Sequence, residues 1–300
     1  VRPEDQNLYP DVPDSHADDE PLHLPAEVAE EVILSAGGTD AILVGGQALG
    51  IWVDLLLEPN LVDTLGGPVT SKDVDFFGNV DLAQELAEHL GGQVVRPDAD
   101  HITTPETAIV LYERGGKSYQ IDILGRLAGL TETEVREGWI DLPYGDGDDK
   151  VVVRVMAPFE VLRSRIANIV VLRRNDAGAA RQLQISPHVV EAYIRQLLDA
   201  RVDPENEGDE DLLKSLQRNA QDLIRGFVTI GRSHEMDRIF IDHGVDLLEH
   251  TLRLSDHPGW HKIFAEKQIV KAATEGIERR ATRIAERERK NPGFSTPKLR

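Results

Sequence analysis

Apolar positions along this chain change their period near residue 157. Before that point they come in short runs and alternations; after it they recur at helical spacing. The pattern predicts a helix from Pro25 to about Ser35 stopped by Gly37-Gly38, then a buried strand over Ala41-Ile42-Leu43-Val44 that ends at Gly45-Gly46. Gln47 to Leu57 reads as a helix. Glu58 to Val69 holds Pro59, Gly66, Gly67 and Pro68 and reads as loop. A second strand follows over Asp73–Phe77, then a helix over Asp81–Leu90 closed by Gly91-Gly92. Thr107–Tyr112 and Ser118–Leu124 form two strands around the turn Arg114-Gly115-Gly116-Lys117. A further hairpin joins Trp139–Leu142 to Val151–Val155 through Gly145-Asp146-Gly147-Asp148. From Pro158 to about residue 290 the spacing is helical, with an acidic break at Asp203–Asp211. The expected organisation is an acidic arm over 1–24, an α/β domain over 25–157, a helical domain over 158–290 and a basic tail over 291–300.

Three hundred residues suffice for one large core or two ordinary ones. No run approaches the roughly 20 apolar residues a bilayer span needs, so no membrane role is expected. The acidic, Pro-rich first residues carry no basic or apolar leader, and cysteine is absent; both fit a cytoplasmic setting. The net charge of −20 argues against a general nucleic-acid coat protein. Yet Arg279 to Arg300 holds eight Lys/Arg against two Glu, which leaves room for a local nucleic-acid contact beside the plainer reading of a solvated helix end.

The chemistry-bearing stretch is Lys72-Asp73-Val74-Asp75-Phe76. Side chains repeat every two residues in a strand, so Asp73 and Asp75 share a face. Asp122 sits in its own strand, Tyr119-Gln120-Ile121-Asp122-Ile123-Leu124, and pairing would bring it beside the pair. Converging carboxylates repel one another and are costly to bury without a cation. Hard oxygen donors suit Mg²⁺ held together with substrate phosphates. Two carboxylates on one strand can bridge two metal ions about 4 Å apart. Gly45-Gly46, between a strand and a helix, lets backbone approach a phosphate closely.

In combination these residues resemble the DNA polymerase β-type nucleotidyltransferase superfamily, most closely its AbiEii-type and related stand-alone bacterial members, several of which are toxins. Thr70-Ser71-Lys72-Asp73-Val74-Asp75-Phe76 carries the central motif, and the resemblance spans about residues 27–176. It implies a mixed nucleotidyltransferase-type sheet and transfer of a nucleoside monophosphate from an NTP to an acceptor hydroxyl. Asp73, Asp75 and Asp122 would be catalytic and would hold two Mg²⁺. Gly45, Gly46, Gln47, Ser71, Lys72, Arg163 and Arg165 would contact the nucleotide. The acceptor would be RNA, such as a tRNA 3′ end, or protein, in a toxin–antitoxin or phage-defence role with an antitoxin partner. Gln47 stands where the family commonly has a small hydroxyl, 27 residues separate Gly46 from Asp73, and Arg163, Arg165, Arg173, Arg174 and Asp176 occupy a region where a lysine is usual.

Two other functions stay open: a transferase for a small molecule of the antibiotic type, and a non-catalytic antitoxin or scaffold that keeps the fold. Gly115-Gly116-Lys117-Ser118 resembles a P-loop end but lacks its first glycine and leads into a strand, so it reads as a hairpin turn. His257 and His261 read as structural, Lys72 equally as a surface residue, and Asp146, Asp148 and Asp149 as turn acids.

Overall fold

The computed structural model describes residues 24–69, 71, 73–96, 105–145, 147, 150–264 and 268–290. The expected N-terminal arm up to residue 23, Lys72, the turn acids Asp146, Asp148 and Asp149, and the tail from 291 lie outside them.

The N-terminal half is a seven-stranded mixed sheet with helices packed on it. Its elements run α1 (Ala26–Ser35), β1 (Ile42–Val44), α2 (Gly45–Leu56), α3 (Pro59–Thr64), β2 (Val74–Phe77), α4 (Val80–Leu90), β3 (Gln93–Val95), β4 (Glu106–Arg114), β5 (Lys117–Leu124), α5 (Glu132–Glu137), β6 (Trp139–Tyr144) and β7 (Val151–Met156). The sheet order is β3-β4-β5-β2-β1-β7-β6. β2 runs parallel to β5 and antiparallel to β1, and β1 runs parallel to β7. The three central strands β5, β2 and β1 are apolar on both sides of their paired stretch, with Leu43, Val44, Phe76 and Ile123 fully buried. Asp75 and Asp122 interrupt that apolar register at the same level.

Local chemistry accounts for most boundaries. Gly91 caps α4 in the left-handed conformation that glycine adopts without strain. Gly115 and Gly116, both at positive φ, close the β4–β5 hairpin. Thr131 and Glu134 form a reciprocal capping box that starts α5. The stretch expected as loop over 58–69 instead contains α3. Pro59 sits at its first turn, where a missing N–H costs nothing, and only Gly66-Gly67-Pro68 ends it. The short strand β3 and the helix α5 were likewise not expected from periodicity.

The C-terminal half is helical: α6 (Pro158–Val170), α7 (Ala177–Val202), a 3₁₀ turn at Pro204–Asn206, α8 (Glu210–Gly231), α9 (His234–His243), α10 (Leu247–Ser255), α11 (Trp260–Ile263) and α12 (Gln268–Lys290). Change of element type falls at Pro158, but the packing does not divide there. Val161, Ile185 and Val189 belong to the sheet's core, while Leu162, Leu183 and Val190 belong to the helical core. Helices α6 and α7 therefore carry one apolar face into each core and couple the halves. Trp52 Nε1 of α2 donates to the Met156 carbonyl at 2.8 Å and ties that helix to the end of β7. No helix among the described residues is long and apolar enough to cross a membrane.

Between α7 and α10 lies a buried polar cluster. Glu191 accepts from Arg195 and Arg253 and lies 2.7 Å from His250 Nδ1. Burial opposes the Glu191 charge, but hydrogen bonds from His250, Arg253 and Arg195 hold its carboxyl well below the usual range. Burial pushes His188 down to about 4, with His250 and Arg253 adding repulsion, and lowers His250 as well.

A histidine kept neutral in the fold takes its proton first in the unfolded chain. Its contribution is thus fully present above the unfolded pKa and is lost as pH falls from about 6.5 towards 4. His188→Gln removes that titration. Circular-dichroism melting is expected to show that the variant's Tm falls less between pH 6.5 and 4.5 than the parent's, by about 3–6 °C.

Candidate active site

Register places the acids. Asp75 pairs with Asp122 across the parallel β2–β5 ladder and with Val44 across the antiparallel β1–β2 ladder. Asp73, two residues before Asp75 and just ahead of β2, completes the group. Val44 is the last residue of β1, so α2 begins directly beside Asp75. Gly45 has φ of +70°, and a Cβ there would sit 2.1 Å from Asp75 Oδ2. Only glycine fits that position, on backbone conformation and on space. Gly46 faces the same side: its Cβ would meet Ser71 Oγ at 2.7 Å and Gln182 Nε2 at 2.9 Å.

Opposite the acids stand α6 and the start of α7. A cleft of about 690 Å³ is lined by Gly46, Ser71, Asp73 and Asp75 on the sheet side and by Arg165, Asn168, Arg174, Asp176, Arg181 and Gln182 on the helical side. Asp176 caps α7 by accepting from Ala179 N at 2.9 Å, and the first turn of that helix, Ala177-Gly178-Ala179, borders the cleft. Arg165 is 8 % exposed and donates to Gln182 Oε1 at 2.6 Å, while its Nε has no hydrogen-bond partner among the described residues. Arg181 donates to the Leu65 carbonyl and so pins the segment after α3; its Nε and Nη2 are buried and likewise unpartnered. Unsatisfied buried guanidinium N–H groups are costly.

The electrostatics match that layout. Burial pushes the Asp75 carboxyl up to about 7, with repulsion from Asp122 and then Asp73 adding to it, against attraction by Arg165 and Arg174. Burial also raises Asp122, opposed by a 2.7 Å hydrogen bond from Gln120 Nε2, while Asp73 and Glu106 push it further up. On the other wall, burial lowers Arg165 to about 10, Asp75 counters it, and Arg174 reinforces it. Among the described residues, the sheet wall thus carries the acids, and the helical wall carries three arginines beside the capping Asp176.

Several expected contacts fall elsewhere. Arg163 donates to Glu134 at 2.8 Å and to the Gly129 carbonyl at 3.1 Å, and it holds α5 against α6 rather than lining the cleft. Gln47 lies on another face of α2 and lines a separate apolar cavity. Ser71 borders both spaces. Of the basic stretch expected as a nucleic-acid contact, Arg280 pairs with Asp246 at 2.7 Å and Arg283 with Asp237 at 2.6 Å, so two of its charges are neutralised inside the helical half. The sequence reading missed Asn168, Arg181 and Gln182; the N-cap pattern Asn175-Asp176-Ala177, just after Arg174, was the available signal. His257 lies 3.0 Å from Asp199 and accepts from Gly259 N, a turn-stabilising role.

His188, Glu191 and His250 form a second group that could hold a metal ion, their donor atoms lying within 4.8 Å of one another. Guanidiniums of Arg195 and Arg253 already occupy the Glu191 oxygens, however, and two fixed cations oppose a third. The Asp73/Asp75/Asp122 group has the harder donors, but only the His188/Glu191/His250 group meets that 4.8 Å spacing among the described residues.

A carboxyl raised to about 7 stabilises the fold fully only below the unfolded value of 3.8, and that contribution is lost as pH rises through 7. Asp75→Asn is therefore expected to raise the Tm at pH 8 in EDTA by about 2–4 °C. Millimolar Mg²⁺ is expected to raise the parent's Tm at that pH and to leave the variant's unchanged, as read by differential scanning fluorimetry.

No protein-family model matches this chain, and neither a curated protein nor a solved structure shows significant similarity to it.

Proposed function

We propose that the protein is a Mg²⁺-dependent nucleotidyltransferase that moves a nucleoside monophosphate from an NTP to an acceptor hydroxyl. The observation that carries this reading is the facing of Asp73 and Asp75 by Arg165, Arg174 and Arg181 across one cleft, with Asp122 paired beside Asp75 on the neighbouring strand. A site that wants a divalent cation on one side and a polyanion a few ångströms away has the charge layout of a metal-bound triphosphate.

Asp73, Asp75 and Asp122 would hold the metal. Bound there, Mg²⁺ would neutralise the acids, polarise the α-phosphate and lower the pKa of the attacking hydroxyl. The remaining roles belong to the chain itself. Arg165, buried and fixed by Gln182, would bring its guanidinium charge to bear on the phosphates. Arg174 and the first turn of α7 add positive potential on the same wall. Gly45 and Gly46 keep the floor beside Asp75 free of side chains. Asp122, raised above the ordinary carboxylate range by burial, is suited to take the acceptor's proton as the new O–P bond forms and pyrophosphate leaves.

The resemblance to AbiEii-type proteins extends the proposal to an RNA or protein acceptor and to a toxin held by an antitoxin. RNA contact would rest on the cleft arginines and on Arg289 and Lys290 at the end of α12.

The test is transfer of label from each α-labelled NTP, with Mg²⁺, into total RNA or lysate protein. Label is expected in one of these fractions, falling at least about 100-fold in Asp73→Ala/Asp75→Ala and in Arg165→Ala. Label that survives loss of both acids would sink the proposal. Gly46→Val, which fills the cleft floor without touching an acid, is expected to weaken NTP binding in equilibrium dialysis by about tenfold or more.

A further inference from the structure

The geometry points to a second binding site, for an organic cation with a compact apolar body, in the cavity on the other side of Ser71. This inference stands on that cavity alone and does not depend on nucleotidyl transfer.

The space, about 480 Å³, lies between α1, α2 and the end of β6. One face of α2 supplies Gln47, Gly50, Ile51 and Asp54, at spacings of three, four and seven residues. Ala26, Ala29 and Ile33 of α1 form the opposite wall, and Leu142, Pro143 and Tyr144 close one end. Size and lining suit a small ligand with an aromatic or branched aliphatic body.

Its charge is one-sided. No lysine or arginine is among the described lining residues. Asp54 faces the space, burial raises its carboxyl above the ordinary value, and it has no ion pair among the described residues. Tyr144 is raised by burial first and then by the charges of Glu30 and Asp54. A cation seated there would meet the Asp54 carboxylate with Tyr144 in the same lining.

Gly50 makes the room. It is an interior residue of a twelve-residue helix, where glycine is the least favourable choice short of proline. A Cβ built there meets nothing within 4 Å. The chain forgoes helix stability at that point and gains only open volume, which is what a ligand site requires.

Isothermal titration calorimetry with three probes tests the inference: phenethylamine, tryptamine and benzyltrimethylammonium, compared with the anionic isosteres 3-phenylpropionate and indole-3-propionate. At least one cation is expected to bind the full chain about tenfold more tightly than its anionic counterpart. Asp54→Asn, an exposed substitution, is expected to erase that preference. Gly50→Leu is expected to raise the Tm and abolish binding. Failure of all three cations to bind, equal binding of cations and anions, or cation binding that survives in a folded Gly50→Leu protein would each overturn the site.

Discussion

Mutual repulsion among Asp73, Asp75 and Asp122 is the constraint around which the rest of the structure is arranged. Strand pairing forces the group together: once β2 and β5 align in parallel register, Asp75 and Asp122 have no freedom to separate. That register is in turn set by the fully buried apolar neighbours Phe76, Ile121 and Ile123, each far more costly to expose than a carboxylate is to protonate. The hydrophobic core therefore holds in place a charge cluster that would otherwise disperse. Arg165 and Arg174 relieve Asp75 from across the cleft, yet its carboxyl still stands at about 7. On the proposed reading, a divalent cation would offset that imbalance.

The position of the arginines depends on the coupling of the two halves. Helices α6 and α7 each bury residues in both cores, so the wall that carries Arg165, Arg174 and Arg181 cannot drift from the wall that carries the acids without opening both. Arg181 adds a direct tie to the carbonyl of Leu65 just beyond α3. The opposed charges of the cleft are thus built into the tertiary core rather than mounted on loops, which is the rigidity a preorganised site needs.

How much of this was legible in the sequence depended on the range of the signal. Strands with strict alternation, such as Ser118–Leu124, and helices closed by glycine, such as Asp81–Leu90, could be read locally, and so could the shared face of Asp73 and Asp75. The helix α3 was hidden because Pro59 and Gly66-Gly67-Pro68 look like loop residues when one proline is in fact a helix start. Arg163 and Arg165 could not be told apart without the fold: two residues on a helix diverge by about 200°, and only tertiary packing says which faces the cleft. Gln47 was misplaced for a related reason, since α2 begins at Gly45 and directs the third residue away from the acids. Arg181 and Gln182 enter from more than 100 residues along the chain from Asp75, and no local pattern announces them.

The central claim is that metal binds at the three acids beside the arginine wall, and the described residues hold one competing metal-capable group at His188, Glu191 and His250. Anomalous diffraction from crystals soaked with Mn²⁺ and a non-hydrolysable NTP analogue separates the two directly. The account predicts manganese peaks among Asp73, Asp75 and Asp122, with the triphosphate against Arg165 and Arg174. Manganese at His188 and His250 with none at the aspartates, or an analogue bound away from the cleft, would contradict it.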